Sequence, residues 1–128
     1  MREQALQYIK DTYGADPEYL WEDGENAAIR HPRTQKWFAV LIQNLPKSKF
    51  GLDSDKRVDV LNLKCDPLMT HAVTAGGGCF PAYHMNKEHW ISVLLDGTVP
   101  MEDLMFLIDL SFSLVDRYPK QKKKPSQP

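Results

Sequence analysis

Lys36-Trp37-Phe38-Ala39-Val40-Leu41-Ile42 is the longest apolar run in the chain. A strand with one wet face alternates polar and apolar residues. An unbroken apolar run has both faces covered, or nearly so, and reads as a central strand. Before it, His31-Pro32-Arg33-Thr34-Gln35 reads as a turn. Tyr19-Leu20-Trp21 and Ala27-Ala28-Ile29 are two short apolar runs around an Asp23-Gly24 turn, and predict two further strands. Earlier still, Ala5, Leu6, Ile9 and Tyr13 recur at helical spacing with Gly14 as a stop, which predicts an amphipathic helix over 2–13. Asp16-Pro17 breaks it.

After the central run, Pro46 and Gly51 bracket a polar loop, Lys47-Ser48-Lys49-Phe50. Val58 to Lys64 is another strand, whose apolar positions change parity between Val60 and Leu61. Either a bulge or apolar cover on both faces produces that pattern. Asp66 suits an N-cap and Pro67 the first helical position, so a short helix runs to about Ala75. Gly76-Gly77-Gly78 ends it. Trp90 to Leu95 is the last strand, with Asp96-Gly97 as its turn. From Pro100, the residues Met101, Leu104, Met105, Ile108, Phe112 and Val115 trace one apolar stripe along a final helix. The order predicts an α+β fold, a two-layer sandwich with a mainly antiparallel sheet and the N- and C-terminal helices packed on one face.

The 128 residues (14.7 kDa) suffice for one domain with an ordinary core. With 42% hydrophobic and 26% charged residues, disordered, collagen-like and coiled-coil chains are excluded. No apolar run approaches the roughly 20 residues of a membrane span, and the N-terminus lacks the apolar stretch of a secretory signal. Cys65 and Cys79 are too few for a disulfide framework and read as reduced, buried thiols of a cytoplasmic protein.

The net charge of −1 hides a division along the chain. Residues 1–29 hold two basic and seven acidic side chains, and residues 30–64 hold eight basic and three acidic. Residues 65–119 again hold two basic and seven acidic, and the last nine hold four lysines and no acid. The basic middle segment suits a phosphate backbone, because its cations displace condensed counterions. A pI of about 6.4 argues against a strong, dedicated nucleic-acid binder. The lysine-rich tail has nothing apolar to bury and reads as flexible, which leaves a single domain over residues 1–118 and a tail over 119–128.

The densest chemistry lies in Phe80-Pro81-Ala82-Tyr83-His84-Met85-Asn86-Lys87-Glu88-His89-Trp90. This stretch can hold a phosphate, stack a base or carry a proton. The plainer reading makes Tyr83 and Trp90 core aromatics, with the histidines and Asn86 tying the loop down. His84 and His89 are five apart, which is not the spacing of helix-borne metal ligands, and there is no Cys-x-x-Cys. No metal site or cofactor is expected. Asp16, Glu18, Glu22, Asp23 and Glu25 offer oxygen ligands for a hard cation but lack EF-hand spacing, so a solvated acidic edge is the simpler reading. Gly76-Gly77-Gly78 lacks the following Gly-Lys-Ser/Thr of a phosphate loop. Arg30, Arg33 and Lys36 on one loop, and Lys47 and Lys49 on another, resemble two wings that straddle a duplex.

Several stretches together resemble the MmcQ/YjbR family. They are Arg30-His31-Pro32, Lys36-Trp37-Phe38-Ala39, the run Val58 to Pro67 ending Asn-Leu-Lys-Cys-Asp-Pro, Phe80 to Ile91, and Asp96 to Pro100. The resemblance covers residues 1 to about 118. It implies a frataxin-like, CyaY-like α+β fold and a small bacterial cytoplasmic protein of a family commonly labelled DNA-binding. Matching the motifs carries over Lys64, Tyr83, His84, Asn86, Lys87, His89 and Trp90 as a possible functional surface.

The sequence-based expectation is therefore a non-enzymatic module that binds double-stranded DNA. Lys47, Lys49, Lys64 and Lys87 would contact phosphates, aided by Arg30, Arg33 and Lys36, with Tyr83, His84, Asn86 and His89 shaping the site. Two alternatives stand beside it. One is a protein-interaction or metal-binding module of frataxin-like type that uses the acidic N-terminal third. The other is a small-molecule binder or enzyme that uses the His84/His89 loop.

Overall fold

The computed structural model describes residues 1–117. Helix α1 (Arg2–Tyr13) is followed by strands β1 (Ala27–Arg30), β2 (Trp37–Pro46) and β3 (Arg57–Lys64). Helix α2 (Pro67–Thr74), strands β4 (Cys79–Pro81) and β5 (Trp90–Leu94), and helix α3 (Met101–Val115) complete the order. One sheet runs β1-β2-β3-β5-β4, with every neighbouring pair antiparallel. The predicted α+β sandwich is the observed one. Tyr19-Leu20-Trp21 is a correction: only Glu18 bridges to Ala28, and the three apolar residues lie half-exposed beside the sheet edge. The expected tail over 119–128 lies outside the described residues.

Each helix forms for local reasons. Gly14 closes α1 in the left-handed conformation, and its N–H returns to the Lys10 carbonyl at 2.9 Å. Asp66 caps α2 by accepting the Leu68 N–H at 2.9 Å, with Pro67 at the first helical position. Ala5 and Ile9 of α1, and Leu104, Ile108 and Val115 of α3, pack on one sheet face against Ala39, Leu41, Leu61, Leu63, Ile91 and Val93. Burying side chains of that size contributes about 1.5–3 kcal/mol each before entropy is charged.

The central run is apolar throughout because β2 carries a bulge. Arg30 pairs with Trp37 and Ile29 with Ala39, so Phe38 is the extra residue. The bulge sends Phe38 to the helix side together with Ala39 and Leu41, while Trp37, Val40 and Ile42 pack on the other face. Ser111 of α3 mends the ladder at that point. Its hydroxyl donates to the Phe38 carbonyl at 2.5 Å and accepts the Lys64 N–H at 2.8 Å. In β3 no bulge is needed against β5. Val58 and Val60 face one cluster, Leu61 and Leu63 the other, so cover on both faces explains the parity change.

The first loop of the basic segment is clamped to the end of α3. His31 is buried and stacks on Phe112 at 4.2 Å. Its Nδ1 accepts the N–H groups of Arg33 (3.0 Å) and Thr34 (3.2 Å), which places the proton on Nε2, donating to Asp116 at 2.6 Å. Arg33 closes on the same carboxylate at 2.8 Å.

Candidate functional site

Among the described residues no α-helix covers the second sheet face, and only the one-turn 3-10 segment Lys47–Phe50 packs at one end of it, through Phe50. The loop 82–89 crosses it instead, and two fully buried polar side chains hold the loop in place. Ser92 donates to Asn62 Oδ1 at 2.5 Å, Asn62 Nδ2 donates to the Tyr83 carbonyl at 3.0 Å, and the Tyr83 N–H donates to Ser92 Oγ at 2.9 Å. Asn62 and Ser92 are cross-strand partners on β3 and β5, so the triangle is closed by strand register. Beyond it, Asn86 Oδ1 accepts the Glu88 N–H and its carbonyl accepts the Trp90 N–H. Lys87 Nζ donates to the Ala82 carbonyl at 2.8 Å. His84 sits at φ +61°, a strained conformation for a residue with a Cβ, and its ring lies tilted by 48° against Tyr83, with centroids 3.9 Å apart.

At the end of this face, cations and aromatics alternate across four strands: Arg30 on β1, Trp37 on β2, Lys64 on β3 and Trp90 on β5. The Arg30 guanidinium lies 5.8 Å from the Trp37 ring, and the Lys64 ammonium 5.9 Å from the Trp90 ring. Next to this row is an open apolar cleft of about 330 Å³. Trp21, Trp37, Val40 and Ile42 form one side, and His84 and Met85 the other. Trp21 meets Trp37 edge to face at 5.8 Å. The imidazole of His84 makes no hydrogen bond among the described residues. The site can therefore accept a flat ring against aromatic walls, with a donor or acceptor offered at its rim.

The expected site residues divide. Arg30, Lys36, Lys64, Asn86, Lys87 and His89 lie toward one end of the sheet, with Lys64 and the loop of Lys87 on one face, whereas Tyr83 sits over the middle of that face with its ring 6.1 Å from Phe50, next to Lys49. Lys47 and Lys49 lie at the opposite end of β2, whose ten residues span roughly 30 Å. Lys47 is paired with Asp96 at 2.9 Å, and Arg33 with Asp116. Arg30 pairs with Glu18 at 3.2 Å. Among the described residues Lys64 and Lys87 have no carboxylate partner. Asn86 is used within its own turn, and the His89 carbonyl accepts the Cys65 N–H at 2.8 Å. Trp90 is a buried core residue of this face. Trp21 and Trp37 line the cleft although the sequence does not single them out. Their strand-like surroundings pointed to core packing, and only the neighbouring Arg30 hinted at an aromatic with a cation above it.

The acidic N-terminal third does not converge. Asp16 pairs with Lys10 at 2.9 Å and Glu18 with Arg30, while Asp23 accepts the N–H groups of Glu25 and Asn26. Among the described residues no three His, Cys, Asp or Glu side chains are grouped to hold a metal ion. Burial pushes the Cys65 thiol up and the Cys79 thiol to about 11, so at neutral pH both are protonated and poorly nucleophilic. No helix among the described residues is long and apolar enough to cross a membrane.

These features define a small α+β domain with one helix-covered sheet face and one loop-covered face that carries an aromatic cleft. The YjbR family model matches residues 10–114, and the chain belongs to the YjbR family. YyaQ of Bacillus subtilis (strain 168) is 41% identical over 114 residues, spanning 88% of this chain and 96% of YyaQ. The crystal structure of a Pseudomonas syringae protein is similar at TM-score 0.85 and 40% identity, covering 90% of this chain and 98% of that one. A Deinococcus radiodurans protein with a DUF419 domain shares the fold at TM-score 0.69 and 24% identity, over 96% of this chain and 83% of that one.

Proposed function

We propose that the chain is a non-catalytic nucleic-acid-binding module that works through its second sheet face, not through two basic wings. One base would enter the cleft between Trp21/Trp37 and His84. Flanking phosphates would meet Lys64 and Lys87. The observation that carries this reading is the aromatic cleft beside two cations that have no carboxylate partner. Stacking accepts any base and is worth about 1–3 kcal/mol per base, and a few phosphate contacts add a salt-dependent term. A base can enter such a cleft only when it is unpaired, so single-stranded DNA or RNA fits better than a duplex. The domain without its lysine tail has twelve basic and seventeen acidic residues, which sets an expectation of modest affinity.

The test is tryptophan fluorescence of the full chain titrated with a short single-stranded oligonucleotide and with its duplex, at several salt concentrations. Quenching with the single strand, weakening steeply with salt, supports the reading. Trp21→Ala should then weaken binding by about tenfold or more, and Lys64→Gln with Lys87→Gln should flatten the salt slope by roughly 1–2. Binding that is unchanged in both variants would place the affinity elsewhere, the C-terminal lysines included.

A further inference from the structure

Helix α3 has a second apolar face that the core uses only in part, through Leu107. Its buried stripe runs through Leu104, Ile108, Ser111 and Val115. Roughly a quarter to a third of a turn away, Phe106, Leu107, Leu110 and Leu114 form another stripe. Phe106 is 60% exposed, and the others line a groove of about 170 Å³ between α3 and α2. Across that groove stands Met69, 39% exposed, and its chain neighbour Leu68 is 92% exposed, on a helix with no buried residue. Exposed apolar surface this continuous on a small domain marks a contact site.

The sequence of this stripe says what covers it. Counting outward from Leu110, Leu107 and Phe106 lie three and four residues before it. Ser113 and Leu114 lie three and four residues after it. Asp103 lies seven before and Arg117 seven after. Steps of three, four and seven keep one helix face in register within Met101–Val115, and Arg117, two residues beyond the helix end, lines the same groove. About Leu110 the outer pair Phe106 and Leu114 is symmetric in apolar character, the inner pair is Leu107 and Ser113, and Asp103 and Arg117 are antisymmetric in charge. A second copy of α3, packed antiparallel about a twofold axis through Leu110, meets Leu110 with its own Leu110. Phe106 then lies over Leu114 of the other copy. Asp103 lies opposite the other copy's Arg117, and the same pair recurs at the far end. Neither Asp103 nor Arg117 has an ion-pair partner among the described residues, although each is exposed at the end of the stripe.

We infer that this face is the interface of a homodimer, isologous and centred on Leu110, with Leu68 and Met69 of α2 on its flank. An isologous contact of this kind closes on itself and requires each patch to be self-complementary, which the charge antisymmetry supplies. The interface lies on the helical side of the sheet and leaves the cleft of Trp21, Trp37 and His84 free in both copies, with Lys64 at the end of β3 bordering the groove. The inference stands independently of the nucleic-acid reading.

Sedimentation velocity of the full chain over a concentration series tests it. Wild type should show a reversible monomer–dimer equilibrium. Asp103→Lys sets a lysine against Arg117 at both ends, and Arg117→Glu sets a glutamate against Asp103 at both ends. Each variant should therefore self-associate about tenfold or more weakly. An equimolar mixture of the two variants pairs lysine with glutamate at one end and keeps Asp103 with Arg117 at the other, so mixing should restore dimers to near the wild-type level. Both substitutions are on exposed side chains, and far-ultraviolet circular dichroism checks that each variant is folded. Leu110→Asp should give monomer that mixing with either variant does not rescue. A wild-type chain that stays monomeric up to about 1 mM overturns the inference. So does a dimer indifferent to both charge changes, or a pair of weakened variants that mixing fails to restore.

Discussion

Asn62 and Ser92 face each other across β3 and β5 with no solvent exposure, and the Ser92 hydroxyl donates to Asn62 Oδ1 at 2.5 Å. Both side chains then turn to the backbone of Tyr83. This pair converts an apolar sheet face into a seat for the loop that carries Tyr83, His84 and Lys87. Asn62→Ala leaves the Ser92 hydroxyl proton without its acceptor and the Tyr83 carbonyl without its donor and should cost about 2–3 kcal/mol. Urea denaturation reads the loss. Hydrogen exchange should show that residues 82–89 open first. A double-mutant cycle with Ser92→Ala should show clear coupling, because the two residues share one network. Additive effects would mean that the triangle is not one unit.

Ser111 is the matching device on the other face. Ser111→Ala strands the Lys64 N–H and the Phe38 carbonyl at the β2 bulge, both paired through one hydroxyl. We expect a loss of about 1–3 kcal/mol by thermal or chemical denaturation, larger than a surface Ser→Ala change in α3 such as Ser113→Ala.

The Lys47–Asp96 pair predicts an acid limb. Burial alone would raise the Asp96 carboxyl. The Lys47 ammonium and the side chain and N–H of Thr98 outweigh it and hold the group down to about 2, against an ordinary 3.8. A depressed carboxyl contributes stability that is fully present above its unfolded value, here above about pH 4–5. That stability is lost as the pH falls toward 2. The contribution is about 1–2 kcal/mol after discounting for partial exposure. Lys47→Met should flatten the stability profile between pH 4 and 2 while leaving its shape near neutrality unchanged.

The thiols give a chemical check on packing. Cys79, held up to about 11 by burial, and Cys65, raised for the same reason, should resist a disulfide reagent at pH 8 in the native state. Both should react at the rate of free cysteine in denaturant. Rapid labelling of either thiol in the folded protein would contradict the packed helix layer.

Much of the fold is legible because its signals are local. The Asp66-Pro67 helix start, Gly14 as a stop and the α3 stripe each depend on a few neighbouring residues, and each is observed. The apolar run at 37–42 also reads correctly, although the Phe38 bulge that makes it possible depends on Ser111, more than seventy residues away. Tyr19-Leu20-Trp21 misleads because apolar residues beside an Asp-Gly turn look like a hairpin, whereas here Trp21 leans on Trp37 at the cleft. The two basic loops show the same limit of local reading. Lys47 and Arg33 look available in sequence, but their partners Asp96 and Asp116 arrive from other parts of the chain. Charge along a sequence records what is present, not what is already neutralised.

The most direct test of the proposed site is a heteronuclear NMR titration of the full chain with a short single-stranded oligonucleotide. Perturbations should centre on the indole N–H groups of Trp21 and Trp37 and on the amides of His84, Met85, Lys64 and Lys87. The amides of α2 and α3 should stay still. Shifts confined to residues 118–128, or spread over the helical face with the two indoles unmoved, would contradict the assignment of this face as the binding surface.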